Sequence, residues 1–238
     1  MQKLSTRLQK VYDLLDSCDC IADIGCDHGY LAIAMVEGGC ASRVIAMDVN
    51  DGPLNSARAN IAERGLSESI DLRLSDGLAQ LRAGEAEGIC ICGMGGLLIR
   101  RILANGLDTA HQALFIILEP QSEFALLREF LQESGFVITD EDIATEENKY
   151  YPIIKAHYEP ETAENIHYSP VELAYGPILL QRKPPLLRDF LEKKQSEFSR
   201  ILQELEKNRG NSTKNSQICE RIRELTGELS LIEEAKNY

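Results

Sequence analysis

Ile21-Ala22-Asp23-Ile24-Gly25-Cys26-Asp27-His28-Gly29-Tyr30-Leu31 decides the fold. An apolar run broken by one acid leads into two glycines four apart, and an Ala- and Leu-rich periodic segment follows. That order predicts a buried strand, a tight glycine turn and the start of a helix. A ligand can approach the main chain closely only where no Cβ intervenes. The spacing of Gly25 and Gly29 does not match G-x-G-x-x-G, the pattern that cradles a pyrophosphate. Asp23, two residues ahead of the first glycine, would instead place a carboxylate at the top of the strand, where it suits a cationic amine.

Outward from this stretch, strands and helices alternate. Residues 3–15 carry Leu4, Leu8, Val11, Tyr12 and Leu15 at helical spacing. The first strand, about 20–24, is followed by a helix over 29–37 that stops at Gly38-Gly39. A second buried strand, 43–48, closes on Asp48. A helix capped by Asp51 or Gly52, with Pro53 in its first turn, runs to Gly65. Residues 70–74 and 88–92 read as strands three and four, then 97–104 as a helix and 114–118 as strand five. Ser122 is the expected cap of a helix through Ser134. Residues 136–144 and 150–158 form two last strands with no helix between them, hence an antiparallel hairpin. Seven strands interleaved with helices predict an α/β, Rossmann-like doubly wound sheet.

In such a sheet ligands sit at the carboxyl ends of the strands. Asp23, Gly25, Asp27 and Gly29 follow strand one. Asp48, with Val49 beside it, ends strand two, where a carboxylate can take both hydroxyls of a ribose. Asp76 follows strand three and can accept from an adenine amino group, with Gly77 near the ring. Gly93-Met94-Gly95-Gly96 follows strand four, where a reacting group and a substrate must meet. Any one such acid often only caps a helix. Three of them at successive strand ends, beside a glycine turn, resemble the motifs of class I S-adenosylmethionine (SAM)-dependent methyltransferases.

The loop after strand four bears on the acceptor. It lacks the Asp/Asn-Pro-Pro-aromatic run usual in enzymes that methylate exocyclic amines, and neither Cys90 nor Cys92 follows a proline as a cytosine-C5 nucleophile would. Three glycines around Met94 leave room for a flat ring. A ring nitrogen with an in-plane lone pair, such as adenine N1, needs little activation, so positioning for in-line attack would carry most of the catalysis. Asp27 is the candidate catalytic residue, as a carboxylate that stabilises a cationic product; it reads equally well as a cofactor or turn residue. His28, at a helix N-terminus, reads as a packing or cofactor contact and not as a general base. Glu146–Tyr151 reads as an exposed turn or a substrate contact.

Residues 161–183 form a Pro-, Tyr- and Gly-containing connector between a domain over 1–160 and a helical hairpin over 184–238. Leu187, Leu191, Phe198, Ile201 or Leu202, and Leu205 make one stripe, and Ile218, Ile222, Leu225, Leu229 and Ile232 repeat in steps of four and three, an antiparallel coiled-coil pattern. Asn208–Ser212 reads as the turn between them. The chain of 238 residues carries a net charge of −13, yet residues 182–223 hold eleven Lys and Arg against six Asp and Glu. Residues 1–12 contain Lys3, Arg7 and Lys10 and no acid. Local basic stripes of this kind can hold phosphates. Seven cysteines, an odd number without C-x2-C spacing, read as reduced buried thiols and no metal site. Without a signal peptide or an apolar run of membrane-spanning length, the expected compartment is the cytoplasm.

Asp23–Leu31, Cys92–Gly96, Glu119-Pro120-Gln121 and Tyr175-Gly176-Pro177-Ile178-Leu179-Leu180 ahead of a helical hairpin together resemble the bacterial tRNA (adenine(22)-N1)-methyltransferases. The resemblance spans essentially the whole chain. It implies SAM as cofactor, tRNA as substrate, and a coiled-coil domain that helps to grip it. By motif position Asp23, Gly25, Asp27, His28, Gly29, Asp48, Val49, Asp76, Gly77 and Gly93 would line the cofactor site. Tyr30, Met94, Gly95, Arg7 and Lys10 would face the tRNA. Glu119-Pro120-Gln121 departs from an Asn-bearing form and leaves open which polar group meets the base. No metal or membrane partner is expected, and the chain would be a monomer or weak dimer. Two other readings stand beside this one: a small-molecule or protein methyltransferase whose hairpin is a dimer arm, and a non-catalytic SAM-binding scaffold, against which the open Gly93–Gly96 loop argues.

Overall fold

The computed structural model describes residues 2–208 and 215–238 and divides them into two compact units, split between His167 and Tyr168. The turn expected at Asn208–Ser212 lies largely outside the described residues.

The first unit is built on a seven-stranded sheet in the order β3-β2-β1-β4-β5-β7-β6. The strands are β1 (Cys18–Ile24), β2 (Ala41–Asp48), β3 (Ile70–Leu74), β4 (Gly88–Met94), β5 (Phe115–Pro120), β6 (Phe136–Glu146) and β7 (Lys149–Tyr158). β1 through β5 pair in parallel, and β7 runs antiparallel to both β5 and β6. The helices are α1 (Thr6–Asp13), α2 (Tyr30–Glu37), α3 (Asp51–Glu63), α4 (Gly96–Asn105), α5 (Leu107–Ala110), α6 (Phe124–Glu133) and α7 (Pro160–Ala163).

Ile21, Ala22 and Ile24 of β1, Ile89 to Ile91 of β4 and Phe115 to Leu118 of β5 are all buried. Strands covered on both faces have no solvent side to mark by alternation, which is why these read as continuous apolar runs. The edge strand β6 alternates, as a strand with one wetter face should. The β6–β7 turn places Glu147 and Asn148 at φ 47° and 61°, the backbone of a two-residue hairpin turn.

Two helix caps differ from the sequence reading. Asn50, and not Asp51 or Gly52, caps α3. Glu123, at φ 49°, occupies the cap of α6, while Ser122 turns its hydroxyl toward the Glu123 carboxylate. Ser122 O is occupied elsewhere: it accepts from Gly96 N–H at 3.0 Å, which ties this loop to the start of α4.

The second unit holds α8 (Pro170–Tyr175), α9 (Pro177–Arg182), α10 (Pro185–Asn208) and α11 (Asn215–Asn237). The stretch read as a connector over 161–183 is therefore largely helical, and from Tyr168 onward it belongs to this unit. Ser169 opens α8 with a reciprocal capping box to Glu172. Gly176, at φ 93°, joins α8 to α9, a conformation that favours glycine. Tyr175 is buried edge-on against Phe190, and Lys194 Nζ lies 5.2 to 5.9 Å from the ring centroids of Tyr175, Phe190 and Phe198. Leu187, Leu191, Leu225 and Ile232 of the expected seam are buried; Phe198, Ile201, Leu205, Ile218 and Ile222 are only half-buried.

In the first unit, α6 is fastened to β6 by a wholly buried ion pair, Arg128 Nε to Glu141 Oε1 at 2.9 Å. Removing one member of such a pair leaves an uncompensated buried charge. Glu141→Leu is expected to cost about 3–5 kcal/mol in urea unfolding, and adding Arg128→Met should recover much of the loss. A double variant no more stable than the single one would refute this account.

Candidate active site

The strand order reverses between β1 and β4, which sit side by side while their crossovers leave in opposite directions. Their carboxyl ends flank a cleft of about 260 Å³ lined by residues after β1 (Gly25 to His28, with Tyr30), after β4 (Cys92, Gly93) and after β5 (Gln121), together with Asp23 and Arg7. This is the crevice in which an open α/β sheet takes its ligand.

The β1 turn is set by main-chain bonds. Gly25 N–H and Cys26 N–H both donate to Met47 O, at 2.8 and 2.9 Å. Gly25 has φ +76°, a conformation that favours glycine, and its open face is filled by the tip of Met94, whose Cε would lie 2.2 Å from an added Cβ. Asp27 is left-handed at φ 49°, with an exposed side chain. Asp48 steadies the neighbouring turns: its Oδ2 accepts from Asp27 N–H at 3.4 Å and its Oδ1 from Asn50 N–H at 2.9 Å. The His28 ring stacks on Tyr30 at 5.5 Å, and its main-chain oxygen accepts from Asn60 of α3.

Asp23 is the electrostatic centre of the cleft. Its side chain is buried, and burial together with the nearby Asp48 charge lifts its carboxyl to about 7, against a main-chain hydrogen bond at Ala32 that lowers it. Asp23 Oδ2 is buried without a hydrogen-bond partner. A buried acceptor left unmet is costly, and a cation is the group that would answer it. The ammonium at the amino-acid end of SAM fits this position.

The β4 side is built around a bulge. The β4–β5 register shifts between Cys92 and Met94, so Gly93, at φ +77°, leaves the ladder. Its N–H turns to Glu119 Oε2 at 2.8 Å. That same oxygen receives Arg7 Nη1 from α1 at 2.5 Å, and Arg7 Nε reaches Glu146 Oε2 at 3.5 Å with its guanidinium 5.4 Å from the Tyr151 ring centroid. Burial raises the Glu119 carboxyl and Arg7 restrains the rise. Arg7 itself is raised: burial opposes its charge, and Glu119 outweighs that. The Cys92 thiol is pushed well above its usual range by burial and by Glu119, so it is held as the neutral thiol.

Of the residues expected from sequence, the cleft brings together Asp23, Gly25, Asp27, His28, Tyr30, Gly93 and Arg7. Gly29, Asp48, Val49, Met94 and Gly95 adjoin these turns without forming the cleft wall. Asp76 is exposed, and Gly77 packs against Ile102. Lys10 is not brought to the cleft; it pairs with Asp142 of β6 at 2.6 Å. Leu8, Cys26, Leu31 and Gln121 complete the lining, and Glu119, Glu146 and Tyr151 support it from behind. Glu119 was visible as an acid directly after the apolar run of strand five; that it lies within β5, buried and paired with a residue 112 positions away, was not. Among the described residues no group of three or more His, Cys, Asp or Glu is arranged to hold a metal ion.

A family model described as tRNA (adenine(22)-N(1))-methyltransferase matches residues 21–228. The tRNA (adenine(22)-N(1))-methyltransferase of Bacillus subtilis (strain 168) is 33% identical over 240 residues, 99% of this chain and 98% of that protein. The crystal structure of the B. subtilis m1A22 tRNA methyltransferase superposes with a TM-score of 0.86 at 30% identity, covering 99% of each chain. A Streptococcus pneumoniae putative tRNA (m1A22) methyltransferase solved in complex with S-adenosyl-L-methionine gives 0.81 at 31% identity, covering 95% of this chain and all of the other.

Asp23 also predicts a stability signature. Its folded value of about 7 lies above the unfolded value of 3.8, so the ligand-free fold loses stability from this group as pH rises from about 4 to 7. Asp23→Asn removes that loss. In thermal melts the variant should exceed the parent by several degrees at pH 8 and by little near pH 4. An advantage that does not grow with pH would overturn the assignment.

Proposed function

The chain belongs to the tRNA (adenine(22)-N(1))-methyltransferase family, and on that premise we propose how its own residues carry out methylation of N1 of adenine 22 in tRNA. SAM supplies an electrophilic methyl group: the in-plane N1 lone pair forms the new N–C bond, and the electron pair of the breaking C–S bond stays on sulfur. N1 carries no proton in the neutral base, so no base is needed at the point of attack and the work left to the protein is positioning.

The observation that carries this reading is the unpartnered, buried Asp23 Oδ2 in the cleft between β1 and β4. It accepts the ammonium of the cofactor. The Gly25 turn gives the amino-acid end its close approach to the main chain. Asp48 retains lone pairs beyond its two main-chain bonds and takes the ribose hydroxyls. Val49, Asp76 and Gly77 border the adenine ring of the cofactor. Gly93, Met94 and Gly95 form the shelf for the incoming base, beside Tyr30. Methylation leaves a positive charge on the base, and Asp27, exposed at the mouth, stabilises it. Arg7 acts by holding Glu119 and, through it, the Gly93 bulge.

The family match runs through both units, which supports RNA over a small-molecule or protein acceptor. The helical hairpin supplies phosphate contacts from the basic stretch 182–223; such contacts position RNA without reading its sequence. Leu225 and Ile232 bury their stripe within the same chain, which supports a monomer or weak dimer. Among the described residues no helix is long and apolar enough to cross a membrane, and a tRNA substrate supports a cytoplasmic site of action.

Labelled SAM with bulk tRNA from a bacterium lacking this activity should yield 1-methyladenosine on nucleoside analysis; SAM binding with no incorporation would overturn the reading. Binding should also release a proton. An ammonium beside Asp23 lowers its pKa from about 7, so affinity for SAM should rise as pH goes from 6 to 7.5 and then level off. Calorimetry in buffers of different ionisation enthalpy measures the proton directly, and Asp23→Asn should abolish it.

A further inference from the structure

Two polar side chains leave the end of β5, Glu119 and Gln121, and either type of group could accept a hydrogen bond from a base. The structure separates them. Glu119 is fully buried, does not form the wall of the cleft, and commits one oxygen to both Arg7 and Gly93 N–H. Its other oxygen, Oε1, has no hydrogen-bond partner, but the side chain is wholly buried and does not open onto the cleft, so a base in the cleft does not meet it. Gln121 does line the cleft and is exposed to it. Its main chain is fixed, with Gln121 N–H donating to Met94 O at 2.8 Å. Its amide lies beside the bulge: a Cβ built on Gly93 would lie 3.9 Å from Gln121 Nε2 and 3.6 Å from Arg7 Nη1, and a half-turn of the amide exchanges its nitrogen and its oxygen.

We propose that Gln121 is the base-reading residue of this site, its amide oxygen accepting a hydrogen bond from the N6 amino group of the target adenine. This rests on the methylation of adenine N1 proposed above. N1 must keep its lone pair free for attack, so no donor can be spent on it. The neighbouring N6 is a donor and needs an acceptor. Arg7 offers only donors, and its Nη1 and Nε are directed to Glu119 and Glu146. The Gln121 oxygen supplies what the base lacks.

The same bond also acts on rate. As the N1–methyl bond forms, positive charge spreads to N6, and its N–H becomes a stronger donor. An acceptor there binds the transition state more tightly than the ground state, which is the condition for raising kcat. A carboxylate in place of the amide would accept the same proton; an apolar side chain would not.

The test compares tRNA carrying adenosine at the target position with tRNA carrying purine riboside there, which lacks the amino group. Labelled-methyl incorporation is followed with saturating SAM. The parent enzyme should prefer adenosine, by the intrinsic difference between the two bases multiplied by the contribution of the N6 contact. Gln121→Ala should lower kcat on adenosine by on the order of tenfold, leave the rate on purine riboside nearly unchanged, and so shrink the preference by the same factor. Gln121→Glu should restore part of it. Affinity for SAM, measured by calorimetry, should not move in either variant. If Gln121→Ala keeps the parent's preference, whatever its absolute rate, the proposal fails. It fails also if the preference collapses in Glu119→Gln instead. Absence of 1-methyladenosine from the adenosine tRNA with the parent enzyme would overturn the underlying reading, a result distinct from either.

Discussion

Everything in the first unit depends on the parting of two neighbouring parallel strands. β1 and β4 share a ladder along their length, yet the chain leaves one toward α2 and the other toward α4. No main-chain partner can span the gap at their carboxyl ends. Polar groups placed there must be answered by side chains, by a ligand or by water. On the β1 side the unanswered group is an acid, Asp23. On the β4 side it is a main-chain N–H, Gly93, already answered by Glu119. One wall is therefore complete by itself and the other is not, and the proposed cofactor end and base end rest on that difference.

The complete wall has a cost. Glu119 is buried with one oxygen, Oε1, that finds no hydrogen bond, and its stability depends on the Arg7 charge. A buried pair of this kind is weak as a source of stability and good at fixing a geometry. What it fixes is the bulge at Gly93, and with it the distance between the glycine shelf and the β1 turn.

The sheet was legible because buried parallel strands announce themselves as short apolar runs between glycine turns; 70–74 falls on β3 residue for residue. Asp23, Gly25 and Gly93 were legible for a related reason: a lone acid or glycine inside such a run has few uses. Arg7 was also found, but as a phosphate contact, because a basic residue on an amphipathic helix gives no sign of the acid it will meet. Lys10 gave as little sign of Asp142, the acid it pairs with. The caps of α3 and α6 were missed by one residue, since several adjacent polar residues compete for each end. The connector was set apart by its prolines at 160, 170, 177, 184 and 185; three of these, at 160, 170 and 177, open short helices and Pro185 opens the long α10, all at first positions, where proline is favoured. The basic stretch 182–223 depends on where it is cut. Over residues 184–238 ten Lys and Arg face ten Asp and Glu, so any grip on phosphate comes from the arrangement of charges and not from their sum.

Arg7 and Glu119 are separated by 112 residues, and Glu146 and Tyr151 lie further along still. During synthesis the first helix leaves the ribosome long before any of its partners exist. Through that interval its apolar face and its guanidinium wait on strands not yet made. Contacts this distant in sequence form late, after loop entropy has been overcome by the rest of the sheet. The Arg7–Glu119 side of the cleft is thus among the last parts of the unit to assemble, and a nascent chain that ends at β4 still lacks the acid that holds the Gly93 bulge.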